Sequence, residues 1–553
     1  MPVLRFRKER VEEVLGLSVS EAVEYLERLK IEVSDVGDEL EFEIEVDRPD
    51  LYTLEGIARQ LKGIVGKERG LPRYEVIDSG YKIIVSDVPV RPYVAGAVVW
   101  NVDVDEEFLT ELIQFQEKLH ASYGLGRRRI AIGLHDLEKV PSREIEYVLG
   151  DVDAIRFKPL HYSEVMTLRE VLERTEQGVM YGHISLSGRK HPVLLSGGEV
   201  ISAPPVINSD LTRIEPGTRH VFIDVTGTDK KAVLDVLAVI ALNLAERSRS
   251  RRVGLVHLLW SSGAVKSVPD ADPRLMELSV DYVKRILGVE LDGPKMVELL
   301  EAMRFGAKLS PQDRVSVLVP RYRVDVLHQV DLVEEVALAL GIDTLQPIRP
   351  SLLLRGRLLP RRAMERAIRE LLIGHGFVEL MLYSLVDCRE QKEVGGAPEE
   401  ELIKIANPVS VDMDCMIYTT MPLLLRAVAY NQHLGEVKVF TFAKTFRASH
   451  EGERRSVARD VVGLAMARDK VGYEDIQAVV YNVFRVLGLK ILSVKELKHP
   501  SLIEGRAAEI RADKVRAVIG EVHPRVLEKL GLDLPVAFAE IDYTDVSAGL
   551  QIQ

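Results

Sequence analysis

The first 85 residues carry two regular hydrophobic patterns. Residues 39–46 alternate glutamate with an apolar residue, which is typical of a strand with one buried face. Apolar residues recur about every 3.6 positions over 9–30 and again after Thr53, and they predict a helix in each place. A proline-containing turn at 47–50 separates the strand from the second helix. This unit predicts a small N-terminal α+β domain over 1–85.

Three further blocks follow along the chain. Residues 86–255 alternate strand and helix patterns and predict a mixed α/β domain. Residues 270–346 predict a small, mainly helical domain, and 355–553 again alternate helices and strands. The predicted strands are 94–102, 129–135, 193–195, 220–225 and 315–319, and the predicted helices are 105–120, 229–248, 280–287, 294–303 and 331–340. The whole pattern predicts a multidomain α/β and α+β fold.

Composition and charge narrow the setting. The chain has 553 residues, with 73 basic and 85 acidic side chains and a formal net charge of −12. This balance argues against binding of nucleic acid through bulk positive charge, although local basic patches remain. Two cysteines, Cys388 and Cys415, are too few for a disulfide framework or a four-cysteine zinc site, so we expect a reducing, cytoplasmic setting. The sequence has no apolar run long enough to span a membrane, and we expect no membrane partner.

Four carboxylates cluster near the end of the third block. Asp331, Glu334 and Glu335 have the spacing that places three side chains on one helical face, and Asp325 lies just before that helix. Such a group of oxygen ligands suits a divalent cation such as Mg²⁺. The same residues also form an ordinary helix start, with Asp331 as the N-cap and Glu334 at the third helical position. Both interpretations stay open from the residues alone.

A second polar cluster is predicted at strand ends of the 86–255 block. Asp224 and Thr226 alternate on a strand that runs into a glycine-containing turn, and Asn208 and Ser209 follow a pair of prolines. These side chains are suited to line the floor and wall of a pocket. The alternative is turn chemistry, because Asp, Asn, Ser and Thr are common where strands connect to helices.

Basic residues concentrate at two places. Seven arginines fall within 21 residues, which suits a nucleic-acid contact, a subunit interface or a solvated helix face. They are Arg349, Arg355, Arg357, Arg361, Arg362, Arg366 and Arg369. The turn at 124–129 is a shorter basic segment with the same alternatives.

Taken in order, these motifs resemble the beta subunit of phenylalanyl–tRNA synthetase, of the shorter archaeal and eukaryotic type. The motifs that carry the resemblance span nearly the whole chain. They are 47–51 (DRPDL), 55–59 (EGIAR), 118–120 (KLH), 132–136 (IGLHD), 205–209 (PVINS), 222–229 (FIDVTGTD), 323–335, Asn407-Pro408 and 420–424 (TMPLL). Single motifs are weak, whereas their joint order is specific.

The resemblance implies roles for both polar clusters. In the family, the Asp-x5-Asp-x2-Glu-Glu pattern coordinates a magnesium ion associated with the partner alpha subunit, and it maps onto Asp325, Asp331, Glu334 and Glu335. The 86–255 block resembles the family's editing domain, which hydrolyses tyrosine misattached to tRNA(Phe). Asp224 and Thr226 are then the first candidates for that site, with Asn208 and Ser209 beside them. We expect attack by water, since the sequence shows no Ser/His or Cys/His arrangement.

The last block, 355–553, resembles a class II synthetase core that has lost its chemistry, and the resemblance implies an antiparallel sheet in this block. Residues 361–376 resemble its interface helix and 440–447 its second signature strand. The third signature, which ends in an ATP-binding arginine, has no good counterpart, and 505–509 is a poor substitute. The resemblance therefore implies an (αβ)₂ heterotetramer with the alpha subunit, which binds ATP and charges tRNA(Phe). A non-catalytic structural or RNA-binding protein built from the same domains is the alternative hypothesis.

Overall fold

A computed structural model describes residues 1–248, 250–351, 356–451 and 453–546. The chain divides into two compact units, 1–349 and 350–553. Among the described residues, no helix has the length and apolar character needed to cross a bilayer.

The N-terminal part of the first unit is a three-stranded antiparallel sheet covered by helices, in the strand order β1-β3-β2. Its elements are β1 (Val3–Arg7), α1 (Lys8–Leu15), α2 (Val19–Arg28), β2 (Glu32–Val36), β3 (Glu39–Glu43) and α3 (Leu54–Ile64). The predicted strand at 39–46 and the helix after Thr53 are confirmed, and the Thr53 hydroxyl accepts from the Gly56 amide as the N-cap. The predicted helix at 9–30 is two helices, because Gly16 adopts a left-handed conformation (φ 64°) and Ser18 begins the second one.

A ten-stranded mixed sheet forms the middle of the first unit. Its strands are β4 (Glu75–Val85), β5 (Tyr93–Val99), β6 (Ile130–Asp136), β7 (Glu144–Asp151), β10 (Lys190–Ser196), β11 (Glu199–Ala203), β12 (Ile207–Asn208), β13 (Val221–Gly227), β14 (Arg252–Trp260) and β15 (Val265–Val268). A separate two-stranded ladder comprises β8 (Arg156–Phe157) and β9 (Met166–Thr167). The helices are α4 (Glu106–Ala121), α5 (Leu168–Arg174), α6 (Glu176–Tyr181) and α7 (Lys230–Arg247).

The strand order of this sheet is β12-β11-β10-β7-β4-β14-β5-β13-β6, and its two end strands, β12 and β6, contact each other. The Asn208 side chain on β12 donates to the Leu134 carbonyl on β6 at 3.3 Å. The predicted strands and helices of this block are all present, with bounds that shift by a few residues. β4 lies within the predicted first domain yet pairs with β7 and β14 of this sheet, so that strand belongs structurally to the second block. The remaining domain boundaries stay predictions.

The third part of the first unit packs helices on a small sheet. Its elements are β16 (Arg274–Ser279), α8 (Val280–Leu287), α9 (Gly293–Ala302), β17 (Gly306–Ser310), β18 (Arg314–Val319) and α10 (Gln329–Leu340). β18 pairs with β16 on one side and β17 on the other. The predicted helices are present, but the sequence pattern predicts only one strand, because the two outer strands bury a single residue between them and show little alternation.

The second unit is built on a seven-stranded sheet of order β19-β22-β23-β27-β26-β25-β24. Apart from the short parallel pair β19–β22, its neighbouring strands are antiparallel, as expected for this block. The elements are α11 (Pro360–Gly374), β19 (Val378–Glu379), β20 (Leu385–Val386), α12 (Cys388–Glu393), β21 (Cys415–Met416), α13 (Met421–Asn431), β22 (Val437–Ala448), β23 (Ser456–Ala467), α14 (Tyr473–Val486), β24 (Ile491–Glu496), β25 (Leu502–Ala512), β26 (Val515–Val522), α15 (Pro524–Lys529) and β27 (Val536–Asp542).

A disulfide joins the two cysteines of the chain. Cys388 begins α12 and Cys415 begins β21, and their Cα atoms lie 4.9 Å apart. Both are buried in a small apolar cluster with Val386 and Ile417. Composition argued against a disulfide framework and suggested a reducing setting; it did not predict this single bridge, because pairing depends on the fold and not on cysteine count.

Reduction of the disulfide should destabilise the second unit. A bridge across 27 residues restricts the unfolded chain, so its loss should cost about 3 kcal/mol. Denaturant unfolding of the full chain with and without a thiol reductant measures the difference. The double variant Cys388→Ser/Cys415→Ser is the control, which reductant should not affect. Equal stability of the wild type under both conditions would contradict a formed bridge.

A buried charged cluster ties four helices of the first unit together. Arg10 on α1 lies 3.3 Å from Glu111 on α4 and 3.7 Å from Glu55 on α3, and Arg247 on α7 lies 3.3 Å from Glu55. Burial, followed by the charge of Glu55, raises the pKa of Glu111 to about 8. The folded chain therefore holds a proton on Glu111 at a pH where the unfolded chain has released it.

Stability of the full chain should consequently fall as the pH rises. The contribution of Glu111 is complete below its ordinary pKa of 4.5 and is lost as the pH approaches 8, at most about 1.4 kcal/mol per pH unit. Urea unfolding between about pH 5 and pH 8 measures this slope. Glu111→Gln, which cannot titrate, should show a shallower slope than the wild type. Identical slopes would show that Glu111 does not carry the effect.

Candidate functional site

A cavity of about 600 Å³ opens where the two end strands of the ten-stranded sheet meet. Its walls come from α4, the turn before β6, β6 itself, α6 and the segment around β12. The apolar part includes Leu112, Ile132 and Val206, and the polar part includes Arg127 and Asn208. A mostly apolar cavity with a few convergent polar groups is the usual form of a small-molecule site.

Asn208 is the one predicted site residue that lines this cavity directly. Its amide nitrogen donates to the Leu134 carbonyl at 3.3 Å, and its oxygen accepts from the Ser202 hydroxyl at 3.0 Å. It therefore joins β12 to β6 and forms part of the wall. Ser209 is buried beside it, where its hydroxyl donates to the Lys158 carbonyl at 3.3 Å and accepts from the Leu211 amide. Ser209 thus makes turn contacts and does not line the cavity.

Asp224 lies directly behind the cavity wall. It is only 1% exposed, and its cross-strand partners are Gly133 on β6 and Gly96 on β5. Gly133 lines the cavity, and a Cβ atom added there would lie 1.9 Å from Asp224 Oδ2. The carboxylate therefore occupies the space that a side chain at Gly133 would fill.

The Asp224 carboxylate has one polar partner. Its Oδ2 accepts from His135 Nε2 at 2.8 Å, whereas its Oδ1 has no hydrogen-bond partner among the described residues. Buried carboxylate oxygens are normally paired, and an unpaired one is a group that a bound donor would satisfy. Asp224 does not line the cavity, so a ligand would reach this oxygen only if the wall at Gly133 opens.

Thr226 is also buried behind the wall, where it is held by a buried arginine. Arg91 donates to the Thr226 hydroxyl and carbonyl, both at 2.8 Å, and to the Arg127 carbonyl at 3.2 Å. Burial lowers the pKa of Arg91 to about 10, so the guanidinium stays charged at neutral pH. Arg91 therefore connects Thr226 to the backbone of the basic turn.

The basic turn at 124–129 supplies a wall residue that the sequence left ambiguous. The Arg127 side chain lies 2.8 Å from Glu117, donates to the carbonyls of Pro205 and Val206, and stacks on Tyr181 with 4.3 Å to the ring centroid. It therefore joins three walls of the cavity. Its pairing with a carboxylate and an aromatic ring depends on tertiary contacts that no local pattern signals.

The four carboxylates of the predicted metal cluster divide among three sets of partners: two share one arginine, one accepts from backbone amides and one pairs with a lysine. Arg323, which is 1% exposed, donates to Asp325 at 2.6–3.2 Å and to Glu335 at 2.5–3.0 Å. Asp331 Oδ2 accepts from two backbone amides at the start of α10, and Glu334 lies 2.7 Å from Lys30. Within the described ranges, no group of three or more His, Cys, Asp or Glu side chains converges as a metal site.

This arrangement does not fit one cation held by all four carboxylates. Arg323 supplies the positive charge between Asp325 and Glu335. Burial alone would raise the pKa of Asp325, but the charge and hydrogen bonds of Arg323, together with the charge of Arg48, lower it below its ordinary value. Asp331 caps α10 from the third helical position, with His328 as the N-cap, one turn earlier than expected. Magnesium binding by these residues stays a prediction.

The arginine-rich segment forms ion pairs within the second unit. Four of its arginines pair with carboxylates of the same unit: Arg361 with Glu365 and Asp460, Arg362 with Glu365, Arg366 with Glu370, and Arg369 with Glu379. Arg355 lies outside the described residues. These contacts account for much of the positive charge on α11.

Family models and relatives agree on one class of protein. A model described as the phenylalanyl tRNA synthetase beta chain CLM domain matches residues 345–543, and the tRNA synthetase B5 domain matches 276–342. The phenylalanine–tRNA ligase beta subunit of Aeropyrum pernix is 43% identical over 546 residues, covering 98% of both chains. That of Sulfurisphaera tokodaii is 36% identical with the same coverage.

A solved structure extends this likeness to the first unit. The N-terminal fragment of the phenylalanyl-tRNA synthetase beta subunit from Pyrococcus horikoshii matches with a TM-score of 0.58 and 34% identity, covering 62% of this chain and 100% of the fragment. The matches define the chain as a component of an aminoacyl-tRNA synthetase. More narrowly, the chain belongs to the family of phenylalanine–tRNA ligase beta subunits.

Loss of Glu335 should destabilise the chain whether or not magnesium is present. Glu335→Ala leaves the buried Arg323 guanidinium partly unpaired, which should cost about 3–5 kcal/mol. Glu334→Ala is the matched control, because it breaks only the more exposed pair with Lys30 and should cost at most about 1 kcal/mol. Urea unfolding of each variant with and without Mg²⁺ measures both values.

Two outcomes would count against this pairing. Equal small losses in Glu335→Ala and Glu334→Ala would mean that Arg323 does not depend on Glu335. A large loss in Glu335→Ala that appears only with Mg²⁺ would instead support the predicted metal site.

Proposed function

We propose that this chain supports the ATP-dependent attachment of phenylalanine to tRNA(Phe) by a partner alpha subunit, in an (αβ)₂ assembly in the cytoplasm. Family membership over nearly the whole chain supports this role. In this proposal the second unit does not activate phenylalanine with ATP or charge the tRNA itself. Arg506, which stands nearest to the place of the expected ATP-binding arginine, pairs with Glu521 at 2.8 Å instead.

We further propose that the cavity edits the product of that reaction, by hydrolysing tyrosine misattached to tRNA(Phe). The need is physical, because an apolar pocket for phenylalanine rejects an added hydroxyl only about a hundredfold. A second site that requires the hydroxyl can discriminate by about 10⁴ or more, since a ligand that lacks the group leaves a buried partner unpaired.

The buried Asp224 carboxylate is the observation that carries this proposal. It lies behind Gly133 at the cavity wall, and its Oδ1 lacks a partner among the described residues. Asp224 does not itself line the cavity, so this recognition requires the wall at Gly133 to open enough for a tyrosine hydroxyl to reach Oδ1. A phenylalanine ring has no group that supplies the hydrogen bond. Thr226, fixed by its hydrogen bonds with Arg91, then holds the adjacent part of the wall, and the Asn208 side chain links the end strands β12 and β6.

Hydrolysis in this proposal uses water directly. Water attacks the ester carbonyl carbon, the bond to the ribose oxygen of the tRNA breaks, and tyrosine and the free tRNA 3′ end result. The Thr212 hydroxyl lies 2.7 Å from His135, which in turn contacts Asp224, so the three groups have the order of a nucleophilic triad. Thr212 is, however, fully buried and does not line the cavity. This burial disfavours a covalent route through Thr212.

Removal of either buried candidate should reduce editing and spare charging. Asp224→Ala removes the proposed acceptor and Thr226→Val removes the contact with Arg91, so each should slow deacylation of Tyr–tRNA(Phe) by about tenfold or more. The measurement uses the complete complex with its alpha subunit, and Phe charging is followed in parallel. Asp153→Ala, at an exposed carboxylate that pairs with Arg169 and does not line the cavity, is the control. Unchanged deacylation in both variants would place editing elsewhere.

A further inference from the structure

We infer that His135 is a positioning residue for editing: it holds the Asp224 carboxylate in the orientation that recognises the tyrosine hydroxyl. This inference rests on the proposed function of the cavity and assigns a role to a residue that was not among the candidates from the sequence.

The register of the sheet brings the two side chains together. Asp224 on β13 pairs with Gly133 on β6, and His135 is two residues further along β6 on the same face. Because Gly133 has no side chain, His135 Nε2 reaches Asp224 Oδ2 at 2.8 Å. Both residues are at most 1% exposed, so water does not compete for this contact.

The His135 ring is itself fixed by two contacts. Its Nδ1 lies 2.7 Å from the Thr212 hydroxyl, and its ring centroid lies 5.9 Å from that of Phe222. If the hydroxyl donates to Nδ1, the neutral ring carries its proton on Nε2, which is the atom that faces Asp224. The Asp224 carboxylate only accepts hydrogen bonds and so requires this proton on Nε2, and the Thr212 hydroxyl can complete the arrangement as a donor to Nδ1.

The contact decides which carboxylate oxygen stays free. A carboxylate turns about its last bond, and one strong donor to Oδ2 fixes the plane and leaves Oδ1 as the remaining acceptor. Without that donor, the buried group would lose its only hydrogen bond among the described residues and would no longer have a defined orientation. His135 itself is fully buried and does not line the cavity, so it acts through Asp224 and not on the substrate.

Two amide substitutions separate this role from simple packing. A glutamine at this position can place an amide nitrogen near the Nε2 position, toward Asp224. An asparagine can place its amide only near the Nδ1 position, toward Thr212. His135→Gln and His135→Asn are therefore similar in polarity and differ in which of the two contacts they preserve.

The experiment measures deacylation of Tyr–tRNA(Phe) and Phe–tRNA(Phe) by the complete complex of each variant. We expect His135→Asn to lower kcat/KM for the tyrosyl substrate about tenfold or more, to leave the phenylalanyl substrate nearly unchanged, and to lose selectivity. His135→Gln should stay within about threefold of the wild type. The double variant Asp224→Ala/His135→Asn should be no slower than Asp224→Ala alone, because both changes remove the same contact.

Two results would overturn the inference while the proposed function stands. One is a loss in Asp224→Ala without any loss in His135→Asn. The other is an equal loss in His135→Asn and His135→Gln that affects both substrates alike, which would mean a packing role. If Asp224→Ala itself leaves tyrosyl deacylation unchanged, the proposed site fails and the inference fails with it. Phe charging and thermal unfolding of each variant identify any that does not fold.

Discussion

Burying a carboxylate inside a sheet is unfavourable unless other groups pair with it, and the candidate site is built around that constraint. Asp224 sits between two glycines of the neighbouring strands, which leave room for its carboxylate. His135 pairs with one of its oxygens, and Thr212 and Phe222 hold the histidine. In the proposed function, the second oxygen takes a hydrogen bond from a ligand hydroxyl at the wall by Gly133. Asp224 and His135 lie on the paired strands β13 and β6, whose register fixes the position of each side chain.

Asp325, just before α10, and Glu335, within it, also need partners for their carboxylates, and here one arginine pairs with both. Arg323 pairs with Asp325 and Glu335 at once, and its guanidinium also lies over the Phe305 ring. This leaves no carboxylate oxygen unpaired there among the side-chain atoms that the structure describes. Asp224 differs, because its Oδ1 has no hydrogen-bond partner among the described residues.

Much of the fold follows from local patterns, and most of the site does not. The strict alternation before residue 47 and the apolar spacing after Thr53 predict β3 and α3, because one buried face determines each element. The edge strands β16 and β17 cannot be predicted in this way, because they bury little on either face and so show no clear alternation. The bridge between Cys388 and Cys415 depends on a tertiary approach across 27 residues that no count of cysteines reveals.

The site shows the same division. Asp224 and Thr226 were singled out by type and spacing, but the structure buries them behind the wall where the sequence had suggested a pocket lining. Gly133 and His135 lie in one of the motifs that carry the family resemblance, yet their roles depend on strand register, which sequence alone does not provide. Arg323 sits within the carboxylate motif itself, and its pairing required knowledge of which side chains are buried together.

The proposed recognition of a tyrosine hydroxyl by Asp224 can be measured as binding, without hydrolysis of the ligand. The measurement is calorimetric titration of the complete complex with non-hydrolysable adenosine 3′-amides of tyrosine and of phenylalanine. The tyrosyl compound should bind at one site per beta chain and about a hundredfold more tightly than the phenylalanyl compound, because only the first satisfies the buried oxygen. Equal affinities for the two compounds would contradict the claim.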